Sequence, residues 1–295
     1  MDEAVIAVTG AAAGIGAAIA HRLATEGAIV AVGDLNLPGA EQVADAIGTA
    51  GGTAVARLVD VSIESAVKDF LHATAEAYGK LDGLVNNAAD VSAATIGADT
   101  DAVTTPDHVW QRALAVNLTG SLYAIRHAVP LMLERGRGSI VNIASEAAFR
   151  GEPTRMAYAV SKAGQVALSR NTASRWGRQG IRSNVIAPGL IATDAIQRNL
   201  TEETRNEILA ASASSRLGEP DDIAALTAHL LSGDGAFGST EESASPDTRV
   251  PLAGPGTLFP DPTRSSGTRI QMHDPVIVIP ASSHAASSWS SNPRS

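Results

Sequence analysis

The feature that most limits how this chain can fold is its opening: an unbroken apolar run, residues 4–8, that passes directly into Thr9-Gly10-Ala11-Ala12-Ala13-Gly14-Ile15-Gly16. A continuous apolar strand is one covered on both faces, which is the habit of parallel sheets. The helix expected next, over residues 15–26, aims its unpaired amides and positive dipole end back at the turn, so an anion belongs there. Gly10 permits the tight turn, Gly14 lets backbone approach a pyrophosphate, and Gly16 lets the helix pack close to the strand. A glycine triplet by itself is also what a purely structural turn would show.

The second strand, residues 29–34, ends at Asp34, eighteen residues after Gly16. That is the spacing of an acid that holds an adenosine ribose. Its carboxylate would accept hydrogen bonds from ribose hydroxyls and repel a 2′-phosphate, while Ala11, Ala12 and Leu35 offer a phosphate no basic partner. NAD is therefore favoured over NADP. The plain alternative is an acid that caps a turn at a strand end.

The alternation continues with a helix over 38–50, a strand over 53–59 that ends at Asp60-Val61, and a helix opening at Ser62 with Val67, Phe70, Leu71 and Ala75 as its buried stripe. A strand over 81–85 stops at Asn86-Asn87-Ala88-Ala89, whose amides could serve backbone or a ligand. A polar loop over 91–105, a long helix over 106–134 through Asn117, a strand over 139–144, a helix over 156–178 and a strand over 182–187 complete six alternations. The expected fold class is α/β: a doubly wound, Rossmann-type parallel sheet in one domain, residues 1–235. Residues 201–212 read as a helical flap over the cleft, and the last helix starts near Pro220.

The chemistry is concentrated in Tyr158 and Lys162, one helical turn apart and so on one helix face. A phenol that works near neutrality must lose about 2–3 pH units, or roughly 3–4 kcal/mol. An ammonium at about 5 Å, at an effective dielectric near 20, supplies roughly 3 kcal/mol. The pair could make a general base. The alternative is two surface neighbours, but with three Tyr and three Lys in 295 residues only about 0.03 such pairs arise by chance. Ser145 follows the apolar run 140–144, where a parallel strand would deliver a hydroxyl to the sheet's carboxyl edge. Asn117 is mildly unfavourable in a helix, so it is either exposed or back-bonded, or it has a second role.

Other functions are narrowed by composition. A net charge of −9 with three lysines argues against a grip on nucleic acid. The absence of cysteine excludes disulfides and thiolate metal sites, and no His-Glu-x-x-His run or close His pair points to a metal. No Gly-x-Ser-x-Gly elbow surrounds Ser145, which argues against a serine hydrolase. With no basic leader and no apolar run of membrane-spanning length, a cytoplasmic enzyme is expected.

Taken together, Thr9-Gly10-x-x-x-Gly14-x-Gly16, Asp60-Val61, Asn86-Asn87-Ala88, Asn117, Ser145, Tyr158-x-x-x-Lys162 and Pro188-Gly189 fall in an order and spacing that resembles the classical short-chain dehydrogenase/reductase family, over residues 4–232. Ala89 departs from the family's usual glycine. The resemblance implies hydride transfer between NAD and a secondary alcohol or ketone. It implies Tyr158 as acid/base, Lys162 lowering its pKa and binding the nicotinamide ribose, Ser145 orienting the substrate oxygen, and Asn117 holding a relay water. Gly10, Ile15, Asp34, Asp60, Val61, Asn87, Ile191 and Thr193 would line the dinucleotide. The helices around Asn117 and Tyr158 would offer the family's dimer surface, so a homo-oligomer, at least a dimer, is expected.

The end of the chain departs from that pattern. No final strand with a Val-Asp-Gly-Gly-like turn follows residue 235, and the last 63 residues hold eight of the fourteen prolines and many serines. Residues 236–295 are expected to form an irregular, Pro/Ser-rich tail. Residues 275–280 make its one strand-like run, and their flanking prolines argue against its replacing the missing strand. The abrupt change suggests, as a hypothesis, a coding-frame shift near Phe237. A defective carboxyl end would leave, as the alternative function, a catalytically impaired NAD-binding protein of the same fold. The substrate's walls would come from residues 91–105, 146–155 and 190–213, with Arg150 and Arg155 either meeting a substrate carboxylate or solvated at the surface.

Overall fold

The computed structural model describes residues 1–198, 200–211 and 214–234, together with the backbone of 276–280. Strand β1 (Val5–Thr9) lies between β2 (Ile29–Asp34) and β4 (Gly83–Asn86). From edge to edge the sheet runs β3 (Thr53–Leu58), β2, β1, β4, β5 (Gly138–Ile143), β6 (Ile181–Pro188) and β7 (Val276–Pro280). The first six strands are parallel. The chain reverses its direction of travel across the sheet between β1 and β4, which opens a crevice at the carboxyl ends of those strands.

The apolar opening run is explained by what covers it. Ile6 and Val8 belong to a core with Ile19 and Leu23 of α1 (Gly14–Thr25), Ile47 of α2 (Leu37–Thr49) and Ile223 and Leu230 of α10 (Pro220–Leu231). Val5 and Ala7 belong to the opposite core, with Phe70 and Leu71 of α3 (Glu64–Tyr78), Ile125, Val129 and Met132 of α6 (Gly120–Leu133), and Leu168 and Trp176 of α7 (Met156–Trp176). Both faces of each central strand are dry, so polar alternation is lost.

Two expected elements differ. The polar loop over 91–105 contains a short helix, α4 (Ala93–Ile96), started by Ser92, whose Oγ accepts from the Thr95 amide. The long helix over 106–134 is three pieces: α5 (Asp107–Ala113), a π-helical turn at Leu114–Thr119, and α6. A π turn inserts one extra residue into the helical path, and here it carries the buried Asn117. Two helices follow β6, α8 (Asp194–Gln197) and α9 (Glu202–Ala211), and α9 falls within the residues expected to be helical at 201–212.

The strand-like run near the end is corrected by the structure: Val276–Pro280 pairs antiparallel with β6, Val185 opposite Ile279 and Asn184 opposite Pro280. The β-branched run Val276-Ile277-Val278-Ile279 suits a pleated edge, and Pro280 stands at the strand's last position, where a missing N–H breaks no ladder. The Pro/Ser-rich remainder, residues 235–275 and 281–295, and with it the proposed frame shift near Phe237, lies outside the described residues. Among the described residues no helix is long and apolar enough to cross a membrane.

Candidate active site

The turn after β1 is shaped by close approaches that only glycine allows. Gly10 and Gly14 have φ of +65° and +56°. A Cβ on Gly10 would lie 2.6 Å from the Ala88 Cα, and one on Gly16 would lie 2.2 Å from the Gly10 carbonyl oxygen. The Asn87 Nδ2 donates to the carbonyls of Thr9 (3.1 Å) and Gly10 (2.8 Å), and the amides of Asn87 and Ala88 donate to the Thr9 hydroxyl. Asn86 bonds Asn142 across the sheet at 2.9 Å. For Asn87 the structure shows the backbone use, which staples the β4 end to the glycine turn, whereas Asn86 ties β4 to the next strand, β5, through the Asn142 side chain.

Helix α1 begins at this turn with no side-chain cap and no acid in its first turn. Its leading amides are thus free of competing anions, which fits a diphosphate. Asp34 accepts from the Ala12 amide (2.9 Å) through one oxygen and from the Asn36 amide (2.8 Å) through the other. This is the turn-capping arrangement, and each carboxylate oxygen keeps a lone pair for a hydroxyl. Ile15 is half-buried against the α1 core. Asp60 is held by the Ser62 amide and hydroxyl (2.9 and 2.6 Å), with Val61 buried beside it. Ile191 is buried and bridges to Gly218, and the Thr193 methyl faces Gly14.

The second half of the cleft is built on α7. Lys162, buried in the protein, donates from Nζ to the Ile143 carbonyl at the end of β5 (2.8 Å) and to Gln165 Oε1 (3.0 Å). Its ammonium stands 5.8 Å from the centre of the Tyr158 ring. The Ser145 Oγ accepts from the Ala147 amide at 3.2 Å, opening the short 3-10 turn Glu146–Ala148. The Asn117 Oδ1 accepts from the Asp90 amide (2.8 Å) and its Nδ2 donates to Ser161 Oγ (3.1 Å). The exposed and back-bonded alternatives for Asn117 are therefore both wrong: its side chain is fully buried and ties β4's exit to α7.

Burial acts on both ionisable groups. It pushes the Lys162 ammonium down to about 7. It also pushes the Tyr158 phenol above its ordinary value; the Ser145 hydroxyl and the Arg155 guanidinium pull it back, and Glu152 opposes them. Arg150 and Arg155 pair with Glu146 and Glu152, so both are compensated locally.

Three supporting residues escaped the sequence reading. Asp99, which is 2% exposed, accepts from the Ala157 amide (2.9 Å) and the Tyr158 amide (2.8 Å) at the start of α7. Arg155, at the helix's N-cap position with φ of +63°, offers no side-chain cap of its own. No local signal links an acid in a loop to a helix 58 residues later. Gln165 and Ser121 did carry a signal: they lie three residues after Lys162 and four after Asn117, each on its partner's helix face.

Comparison with known proteins gives a consistent picture. A family model described as enoyl-(acyl carrier protein) reductase matches residues 10–243. The chain is 34% identical over 236 residues to the 7alpha-hydroxysteroid dehydrogenase of Bacteroides fragilis, covering 80% of this chain and 90% of that protein. It is 34% identical over 244 residues to the levodione reductase of Leifsonia aquatica, with 80% and 90% covered. A solved 7alpha-hydroxysteroid dehydrogenase, complexed with NADH and 7-oxo glycochenodeoxycholic acid, superposes with a TM-score of 0.74 at 35% identity, again over 80% and 90% of the two chains.

Proposed function

We propose a function on one premise: this chain belongs to the classical short-chain dehydrogenase/reductase family. It is an oxidoreductase of CH–OH groups, and its reaction is NAD-dependent interconversion of a secondary alcohol and a ketone. The observation that carries this reading is the Lys162 ammonium 5.8 Å from the Tyr158 ring centre, at the carboxyl edge of the sheet. A cation near a phenol favours the phenolate, by about 3 kcal/mol or roughly 2 pH units at a charge separation of about 5–6 Å and an effective dielectric near 20, which opposes the upward push of burial.

Gly10, Gly14, Gly16 and the uncapped start of α1 would hold the diphosphate, with Ile15, Asp60, Val61, Asn87, Ile191 and Thr193 around the dinucleotide. When bound, the nicotinamide accepts the hydride in oxidation and gives it in reduction. Tyr158 takes the alcohol's proton on Oη during oxidation and returns it to the carbonyl oxygen during reduction. Ser145 holds the substrate oxygen against Tyr158. Lys162 favours the phenolate and, with an N–H to spare among the described residues, would hold the nicotinamide ribose. Asn117 acts through its carbonyl, because its side-chain amide is committed to Asp90 and Ser161. Asp34 supports NAD over NADP: its fixed carboxylate accepts hydroxyls and repels a phosphate. The reading includes a homo-oligomer, at least a dimer, in the cytoplasm.

The test is Tyr158→Phe against a panel of secondary alcohols and ketones run with NAD and NADP in parallel. Turnover should fall by at least about a thousandfold, within the range of acid–base contributions, while NADH fluorescence on binding is unchanged. Wild-type rates in the Phe variant would remove Tyr158 as the base, and a preference for NADP would remove the reading of Asp34.

A further inference from the structure

Behind Lys162 the structure holds a buried line of side chains that the reaction as described does not use. Gln165, on α7, receives the lysine's N–H on Oε1 and donates from Nε2 to Ser121 Oγ at 2.7 Å. Ser121, on α6, in turn donates to the Asn117 carbonyl at 3.0 Å, on the π turn. Lys162, Gln165 and Asn117 are each at most 2% exposed, and Ser121 is 5% exposed. Buried amides are normally satisfied by backbone or water, so a buried glutamine whose oxygen is aimed at a lysine and whose nitrogen is anchored on another helix is a specific construction. The anchor also sets the amide's orientation: flipped, its NH2 would face an ammonium.

We propose that Gln165, locked by Ser121, is a positioning residue for Lys162: it and the Ile143 carbonyl grip two of the ammonium's three hydrogens. The third is left toward Tyr158 and the cleft. This rests on the function proposed above for its catalytic consequence, though the contact itself does not. Physically, a neutral lysine donates more weakly and cannot favour a phenolate, so acceptors that bind the charged form keep the lysine useful at a site that burial drives toward neutrality. The charged groups on the surrounding elements are engaged elsewhere: Asp99 with the first amides of α7, Asp90 with Arg112, Glu146 with Arg150, and Glu152 with Arg155. Tyr158 is the one titratable neighbour described at the ammonium.

Because the chain has three lysines, Lys68, Lys80 and Lys162, the test can be read directly by NMR on protein labelled at lysine Cε, with Lys162→Met for assignment. In Gln165→Met the titration midpoint of Lys162 should fall by about one to two pH units, the worth of one hydrogen bond to a charged group. In Gln165→Glu, which keeps an oxygen at the same place, the midpoint should hold or rise. Unfolding curves establish that both variants fold; if Gln165→Met does not, Gln165→Glu and Ser121→Ala carry the test, with Ser121→Ala expected to lower the midpoint by a fraction of the Met effect. A Lys162 midpoint that does not move in the folded Met variant, or in Ser121→Ala where Met fails to fold, overturns the proposal, whether or not any substrate turns over. With a substrate in hand, the acid limb of the alcohol-oxidation profile should move to higher pH in Gln165→Met with KM unchanged. An acid limb that stays in place beside a shifted lysine would count against the catalytic reading instead.

Discussion

Asp99 offers the sharpest test of how the site is held. Its carboxylate closes the start of α7 from a loop 58 residues upstream, one oxygen on the Ala157 amide and the other on the amide of Tyr158 itself. The two preceding amides, of Arg155 and Met156, are taken by the backbone carbonyls of Asp99 and Thr100, and would stay so after a side-chain change. Asp99→Ala therefore orphans two helix N–H groups in a buried setting and removes an anion from a helix N-terminus. At about 1–3 kcal/mol per orphaned donor and several tenths for the charge, the loss should be about 4 kcal/mol. For a domain of this size that is roughly 8–16 °C in Tm. Asp99→Asn keeps one acceptor and turns an NH2 toward the other amide, so about half the loss should remain. Urea unfolding of the full chain, with m unchanged, reads the effect. A loss below about 1 kcal/mol in the Ala variant would mean that water or a neighbouring carbonyl takes over these amides, and that the loop does not fix the helix that carries Tyr158 and Lys162.

Two further outcomes follow from the geometry. Gly16→Ala would put a Cβ 2.2 Å from the Gly10 carbonyl oxygen and 2.5 Å from Asn87 Nδ2, so it should cost at least about 2 kcal/mol by overpacking and abolish NADH binding. Gly48→Ala, in α2 with nothing within 4 Å, should instead stabilise by about 0.5–1 kcal/mol; paired denaturation curves compare them. For Lys162 the sign is set by a folded pKa of about 7 below the unfolded 10.5. The unfolded state then binds more protons between those values, so the penalty of burying the lysine is full below pH 7 and is gone above 10.5. A gap of about 3.5 pH units corresponds to about 5 kcal/mol at most. Lys162→Met should be the more stable protein at pH 6–7 by a few kcal/mol, with the advantage vanishing near pH 10; a difference that is flat in pH would contradict the buried, weakened ammonium.

Much of this protein was written in local order. The apolar runs bounded by glycine and acid, and the helices between them, follow from periodicities of two and 3.6 that act within a dozen residues, so six parallel strands could be counted before any contact was known. The same is true of Tyr158 and Lys162, because helical pitch alone puts them on one face. Tertiary structure decided who answers them. Lys162 meets Ile143 because β5 ends beneath α7, Gln165 meets Ser121 because α6 and α7 pack side by side, and Asp99 reaches the Tyr158 amide because the loop after α4 folds back onto the start of α7. It also broke the expected long helix at Asn117 and gave Val276–Pro280 an edge to join. Such pairings depend on which surfaces are left unsatisfied once the sheet is assembled, and no short-range pattern encodes that.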